Sequence, residues 1–155
     1  MPARCLAGIQ NAEKRVGSMT PNAHEVDARC SGEAMTRHAT FPGRPEEVRT
    51  ARRFVAKSLN GCPAAGDAVL LVSELATNAL AHSNSGRGGS FTVAVIHRAG
   101  DVRVEVADQG GTWAPGDGAR TESGRGLLVV FTLARACGIT GDDSGRTAWF
   151  ELDCP

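Results

Sequence analysis

A chain of 155 residues with 17 Lys+Arg against 17 Asp+Glu carries zero formal net charge, which removes the simplest electrostatic case for a nucleic-acid or membrane-surface binder. Hydrophobic residues make up 41%, too many for a wholly disordered chain, and no apolar run approaches the ~18 residues a membrane span needs. Nineteen glycines stand beside five Phe, two Trp and no Tyr, a balance that brings backbone rather than aromatic rings close to whatever is bound.

Residues 1–39 mix Pro, Gly, Ser, Asn and both charges without periodicity, and read as a disordered or weakly ordered tail before a domain at 40–155. Met1 to Gln10 holds one Arg and no sustained apolar stretch, so no export signal is expected. The five cysteines include no Cys-x-x-Cys pair, which predicts free thiols, a cytoplasmic protein and no zinc site.

Phe41-Pro42-Gly43 breaks the chain, and Pro45-Glu46-Glu47 reads as a helix start with acids in its first turn. Val48, Ala51, Phe54, Val55 and Leu59 follow at helical spacing up to Asn60-Gly61. A second helix is predicted over Ala65 to Ala81, closed by the loop Ser83 to Gly89. The period then changes to two. Phe91–Ile96 and Val102–Val106 read as strands of a hairpin turning at Ala99-Gly100-Asp101. Gln109 to Ser123 reads as a glycine-rich loop, Gly126 to Ala136 as a helix and Arg146 to Leu152 as a final strand. Adjacent hairpin strands and three helices predict an α+β two-layer sandwich, with a mixed, mostly antiparallel sheet and the helices on one face.

Around the second helix nearly every position is apolar or small except Glu74, Asn78 and His82, spaced i, i+4, i+8. A solvated face would be wide and rich in Lys, Arg and Glu, whereas this stripe is narrow. Such groups cost roughly 1–3 kcal/mol each when buried without partners. The stripe is therefore either a half-exposed helix edge or a site. In a site, Glu74 can serve as a base and the Asn78 carboxamide oxygen can ligate a hard cation such as Mg²⁺.

Asp108 ends the second strand and precedes Gln109-Gly110-Gly111. A carboxylate there can accept from a flat ligand with an exocyclic amine, such as adenine; an ordinary Asp-Gly turn is the plainer reading. Ser123-Gly124-Arg125-Gly126-Leu127 runs from a loop into an apolar helix, where backbone N–H groups and the helix dipole favour phosphate. Neither a Walker A sequence nor a Gly-x-Gly-x-x-Gly fingerprint is present.

The three motifs together, in this order, resemble the Bergerat-fold (GHKL) ATPases. Ser73 to His82 resembles their N box, Asp108-Gln109-Gly110 their first glycine box and Gly124-Arg125-Gly126-Leu127 their second. The ending Gly145-Arg146-Thr147-Ala148-Trp149-Phe150 is similar to that of the small anti-sigma-factor-like serine/threonine kinases, the RsbW-like branch of actinobacterial type. The resemblance implies ATP and Mg²⁺ as cofactors, with Glu74 as general base and Asn78 holding the metal. It further implies Asp108 and Gly110 at the adenine, Gly124, Arg125, Gly126 and Leu127 around the phosphates, His82 as a structural or ribose-side residue and Thr147 supporting the base.

The function so implied is a regulatory serine/threonine protein kinase that phosphorylates an anti-sigma antagonist and acts as an anti-sigma factor. Its expected partners are that antagonist, a sigma factor and a second copy of the chain, without direct nucleic-acid or membrane contact. Two departures favour a rival reading, a catalytically weak nucleotide-regulated binding protein in a partner-switching circuit. Thr112 stands where the first glycine box often has its last Gly, and Glu122 stands where some members have a basic residue. A DNA-binding regulator fits poorly, for want of net positive charge and of a helix-turn-helix pattern.

Overall fold

Two periodicities set the two layers of this molecule. The computed structural model describes residues 34–111 and 123–155, with residues 123–125 described by backbone alone. In chain order these form β1 (Met35–Pro42), α1 (Glu47–Ser58), α2 (Ala65–His82), a short 3-10 turn at Asn84–Gly86, β2 (Ser90–Arg98), β3 (Gly100–Asp108), α3 (Ser123–Leu133), β4 (Ala136–Asp142) and β5 (Gly145–Cys154).

Period-two alternation gives the sheet one apolar face. Phe91, Val93 and Val95 on β2, Val102, Val104 and Val106 on β3, and Phe150 and Leu152 on β5 are all buried on that side. Helical spacing answers it from above: Ala51 and Val55 of α1 and Ala68, Leu71, Val72, Leu75, Ala76 and Ala79 of α2 are buried against the sheet. The opposite face is polar, as an antiparallel sheet allows. There the Arg103 guanidinium lies 3.9 Å over the Trp149 ring and pairs with Glu105 at 2.7 Å and Glu151 at 3.2 Å.

The strand order is β1-β2-β3-β5-β4, and every described pairing is antiparallel. The expected α+β sandwich, with a mostly antiparallel sheet and helices on one face, is thus present, every described pairing being antiparallel. Phe150 pairs with Val104 in the central ladder and is fully buried. Phe150→Ala is expected to lower unfolding stability by about 3–5 kcal/mol, measured as a shift of the urea midpoint at constant slope.

Three expectations are corrected. Strand β1 begins ahead of the boundary expected at residue 40, with Met35–Ala39 already paired with Val93–His97 as its outer part. These residues are mostly exposed, so backbone hydrogen bonds rather than an apolar pattern hold them in the sheet. The helix expected to run to Ala136 ends at Leu133, and Ala136 opens β4, a strand whose pattern is masked by small residues. Finally, Cys62 and Cys154 are joined as a disulfide with Cα atoms 5.8 Å apart, rather than being free thiols. Thr112 and Glu122 lie outside the described residues, as does most of the glycine-rich loop.

Candidate functional site

The C-terminal half of α2, the end of β3, the start of α3 and the start of β5 converge at one end of the sandwich. Between them lies a pocket lined by Leu75, Asn78, Ala79, His82, Val106, Asp108, Leu127, Ile139, Arg146 and Ala148. Its walls are mainly aliphatic, while Asn78, His82, Asp108 and Arg146 supply the polar groups. That is the make-up of a site for a flat, mostly apolar ring with a few oriented hydrogen bonds.

Asn78 is brought there by helical spacing, one turn after Glu74 and one before His82. Its side-chain Nδ2 is buried with no hydrogen-bond partner among the described residues. An amide left so gives up roughly 1–3 kcal/mol, a cost that structural packing alone does not explain. Glu74, half-buried, does not line the pocket but lies against the first turn of α3. A Cβ added at Gly126 would collide with the Glu74 carboxylate, so a glycine there lets the α3 start and the acid approach each other.

Asp108 is fixed from two sides through one oxygen. Its Oδ1 accepts from the Gly110 N–H at 2.7 Å, closing an Asx turn, and lies 3.6 Å from Arg146 Nε. Gly110 follows with φ +68, and any Cβ on it would meet the Asp143 carbonyl and the Gly145 nitrogen. The turn is tied down by neighbours: Asn84 N–H donates to Gly110 O at 2.7 Å and Gly111 N–H to Asp143 O at 2.8 Å. Asp142, beside that last acceptor, is held below the usual carboxylate range, chiefly by the Ser144 hydroxyl and then by the Ser144 N–H. Its support of the β4–β5 turn is therefore present above the ordinary Asp range and lost as pH falls through the depressed value.

Asn78, His82, Asp108 and Leu127 thus line one pocket, with Gly110 and Gly126 shaping its edges and Glu74 beside Gly126. Gly124 and Arg125 lie in the first turn of α3, and the side chain of Arg125 is outside the described residues. Thr147 is not brought in. Strand alternation puts it on the face of Trp149 and Glu151, and its neighbours Arg146 and Ala148 line the pocket instead. Arg146 is the polar residue that sequence reasoning passed over. Besides Asp108 it reaches the His82 carbonyl, donating from Nη2 at 2.7 Å. Counting back by twos from the buried Leu152 and Phe150 finds it.

Residues 41–152 match the family profile of a histidine kinase-like ATPase domain. Among solved structures, the chain is similar to the RsbU and RsbW domains of Rv1364c from Mycobacterium tuberculosis. That similarity has a TM-score of 0.59 and 24% sequence identity over 78% of this chain, a likeness of fold. It spans 33% of that longer chain. No curated protein matches the sequence. Among the described residues no helix is long and apolar enough to cross a membrane.

Proposed function

The chain belongs to the histidine kinase-like ATPase family, and from that premise we propose that it binds ATP with Mg²⁺ and transfers phosphate to a serine or threonine of a partner protein. The observation that carries this reading is the orphaned Asn78 amide, buried at the pocket wall between the Glu74 and His82 turns of α2. Its unpartnered polarity fits a ligand better than it fits the apolar packing around it. The residues suit the nucleotide. The Asn78 carboxamide oxygen is a hard donor for Mg²⁺, and Asp108 accepts an exocyclic amine. Leu75, Ala79, Val106, Ile139 and Ala148 sandwich a base, and the α3 start offers N–H groups to phosphate.

Bound ATP supplies the phosphoryl group, and Mg²⁺ offsets its charge. The protein's work is positioning and one proton transfer: Glu74 takes the proton of the acceptor hydroxyl as its oxygen bonds to phosphorus and ADP leaves. We place the chain in a partner-switching circuit, with an anti-sigma antagonist as acceptor and a sigma factor as a second ligand. Arg49, Arg52, Arg53 and Lys57 are all exposed on α1 and offer a basic surface to an acidic partner. A cytoplasmic setting belongs to the same reading.

The departures at Thr112 and Glu122 favour the alternative of a nucleotide-regulated binding protein without transfer. One experiment separates the two. Titration with ATP and Mg²⁺ should give saturable binding, and radiolabelled ATP should label a cognate antagonist on Ser or Thr. Binding without label supports the alternative, and absence of binding overturns both.

A further inference from the structure

At the other end of α2 lies a cluster that the nucleotide pocket does not use. Cys62, in the turn between α1 and α2, Cys154, at the end of β5, and His97, near the end of β2, place their ligand atoms within 4.8 Å of one another. Cys62 and Cys154 are buried and His97 half-buried, with the Cys154 sulfur 3.4 Å from His97 Nε2. The fold builds this meeting deliberately. The Cys62 N–H donates to Leu59 O at 2.9 Å and its carbonyl accepts from Ala65 N–H at 3.1 Å, fixing the turn that aims the sulfur at the sheet. His97 continues the inward alternation of Phe91, Val93 and Val95, and Cys154 that of Phe150 and Leu152. An 18-residue helix rises about 27 Å, so this end is well away from Asn78 and His82.

We propose that, with Cys62 and Cys154 reduced, these three residues form a zinc site, and that the disulfide is the oxidised, metal-free state of the same site. Two thiolates and one imidazole are the donor set zinc favours, and three protein ligands leave a fourth position for water. The short-spacing rule that argued against zinc in the sequence does not apply, because the ligands come from three elements joined by the fold. Binding displaces the thiol protons, since only thiolates coordinate. Hydrogen peroxide converts the zinc-bound state to the disulfide state. The two thiolate sulfurs lose one electron each and form the S–S bond, the O–O bond breaks, two protons are taken up, and two waters and Zn²⁺ are released. Zinc or disulfide then ties the α1–α2 turn to the sheet, in one state reversibly by metal removal and in the other by reduction.

The test uses the full chain with Cys5, Cys30 and Cys137 changed to Ser, so that only the proposed pair can respond. Reduced and stripped of metal, it is titrated with Zn²⁺ against a chromophoric chelator, and with Co²⁺ to read the thiolate-to-metal absorption band. One equivalent per chain is expected. His97→Ala should weaken it at least about tenfold, and Cys62→Ser should remove the sulfur band. Hydrogen peroxide should release the equivalent and form the disulfide. Failure to hold one equivalent, or an affinity unchanged in His97→Ala, overturns the proposal. Should Cys62→Ser fail to fold, His97→Ala and the Co²⁺ spectrum of the parent still decide it.

Discussion

Glu74→Gln is expected to cut phosphoryl transfer by about 10²–10⁴-fold while leaving Mg²⁺-ATP affinity unchanged, as loss of a positioned general base does. Glutamine keeps the length and shape of the acid, which matters because the carboxylate abuts Gly126 at the start of α3. A larger or branched replacement would push on that helix and confuse loss of the base with loss of the site. The measurement is single-turnover transfer to the antagonist beside an equilibrium titration of nucleotide. Transfer at the wild-type rate would show that Glu74 is not the base. A loss confined to affinity would place it in binding instead.

Asn78→Leu is expected to move stability and binding in opposite directions. The buried Nδ2 has no hydrogen-bond partner among the described residues, so an apolar side chain of similar size relieves a cost of about 1–3 kcal/mol and raises the urea midpoint of the nucleotide-free protein. The same change removes the carboxamide oxygen proposed to hold Mg²⁺, and magnesium-dependent ATP binding should fall below detection. An Asn with a structural role would give the reverse, a less stable protein. Stability and affinity measured on one preparation therefore separate the two roles. Such an opposition is the mark of a residue kept for its ligand.

Much of this was legible in the sequence where side chains carry the signal. The α2 stripe, the alternation of β2 and β3 and the Asp-x-Gly strand end all depend on residue type at fixed spacing, and the structure sets Asn78, His82 and Asp108 around one pocket. What escaped was held by backbone or by long-range pairing. Met35–Ala39 join the sheet through main-chain bonds to β2 and bury almost nothing. Ala136–Asp142 hold too few large apolar residues to signal a strand; in the sheet Gly138 faces Trp149, whose ring occupies the space a side chain would take. Taken as a string, the closing motif favours Thr147 over Arg146. The face of a strand follows from its buried members, and Phe150 and Leu152 put Arg146 on the pocket side. The cysteine pair joins positions separated by 92 residues, beyond the reach of any local pattern.

The strand order also governs when the protein becomes competent during folding. Among the described residues, β2–β3 and β4–β5 are the hairpins between neighbours in sequence; β1–β2 closes around both α1 and α2, and β3–β5 closes around α3 and β4. Closures of that span are entropically late events, after local helices and hairpins have formed. The pocket takes Asn78 from α2, Asp108 from β3, Leu127 from α3 and Arg146 from β5, so an intermediate in which β5 has not docked on β3 lacks it. Before β5 docks, Asp108 lacks its guanidinium partner and Gly110 lacks the turn that seats it. A nucleotide bound in this pocket would therefore stabilise chains in which α2, β3, α3 and β5 have met, relative to those in which they have not.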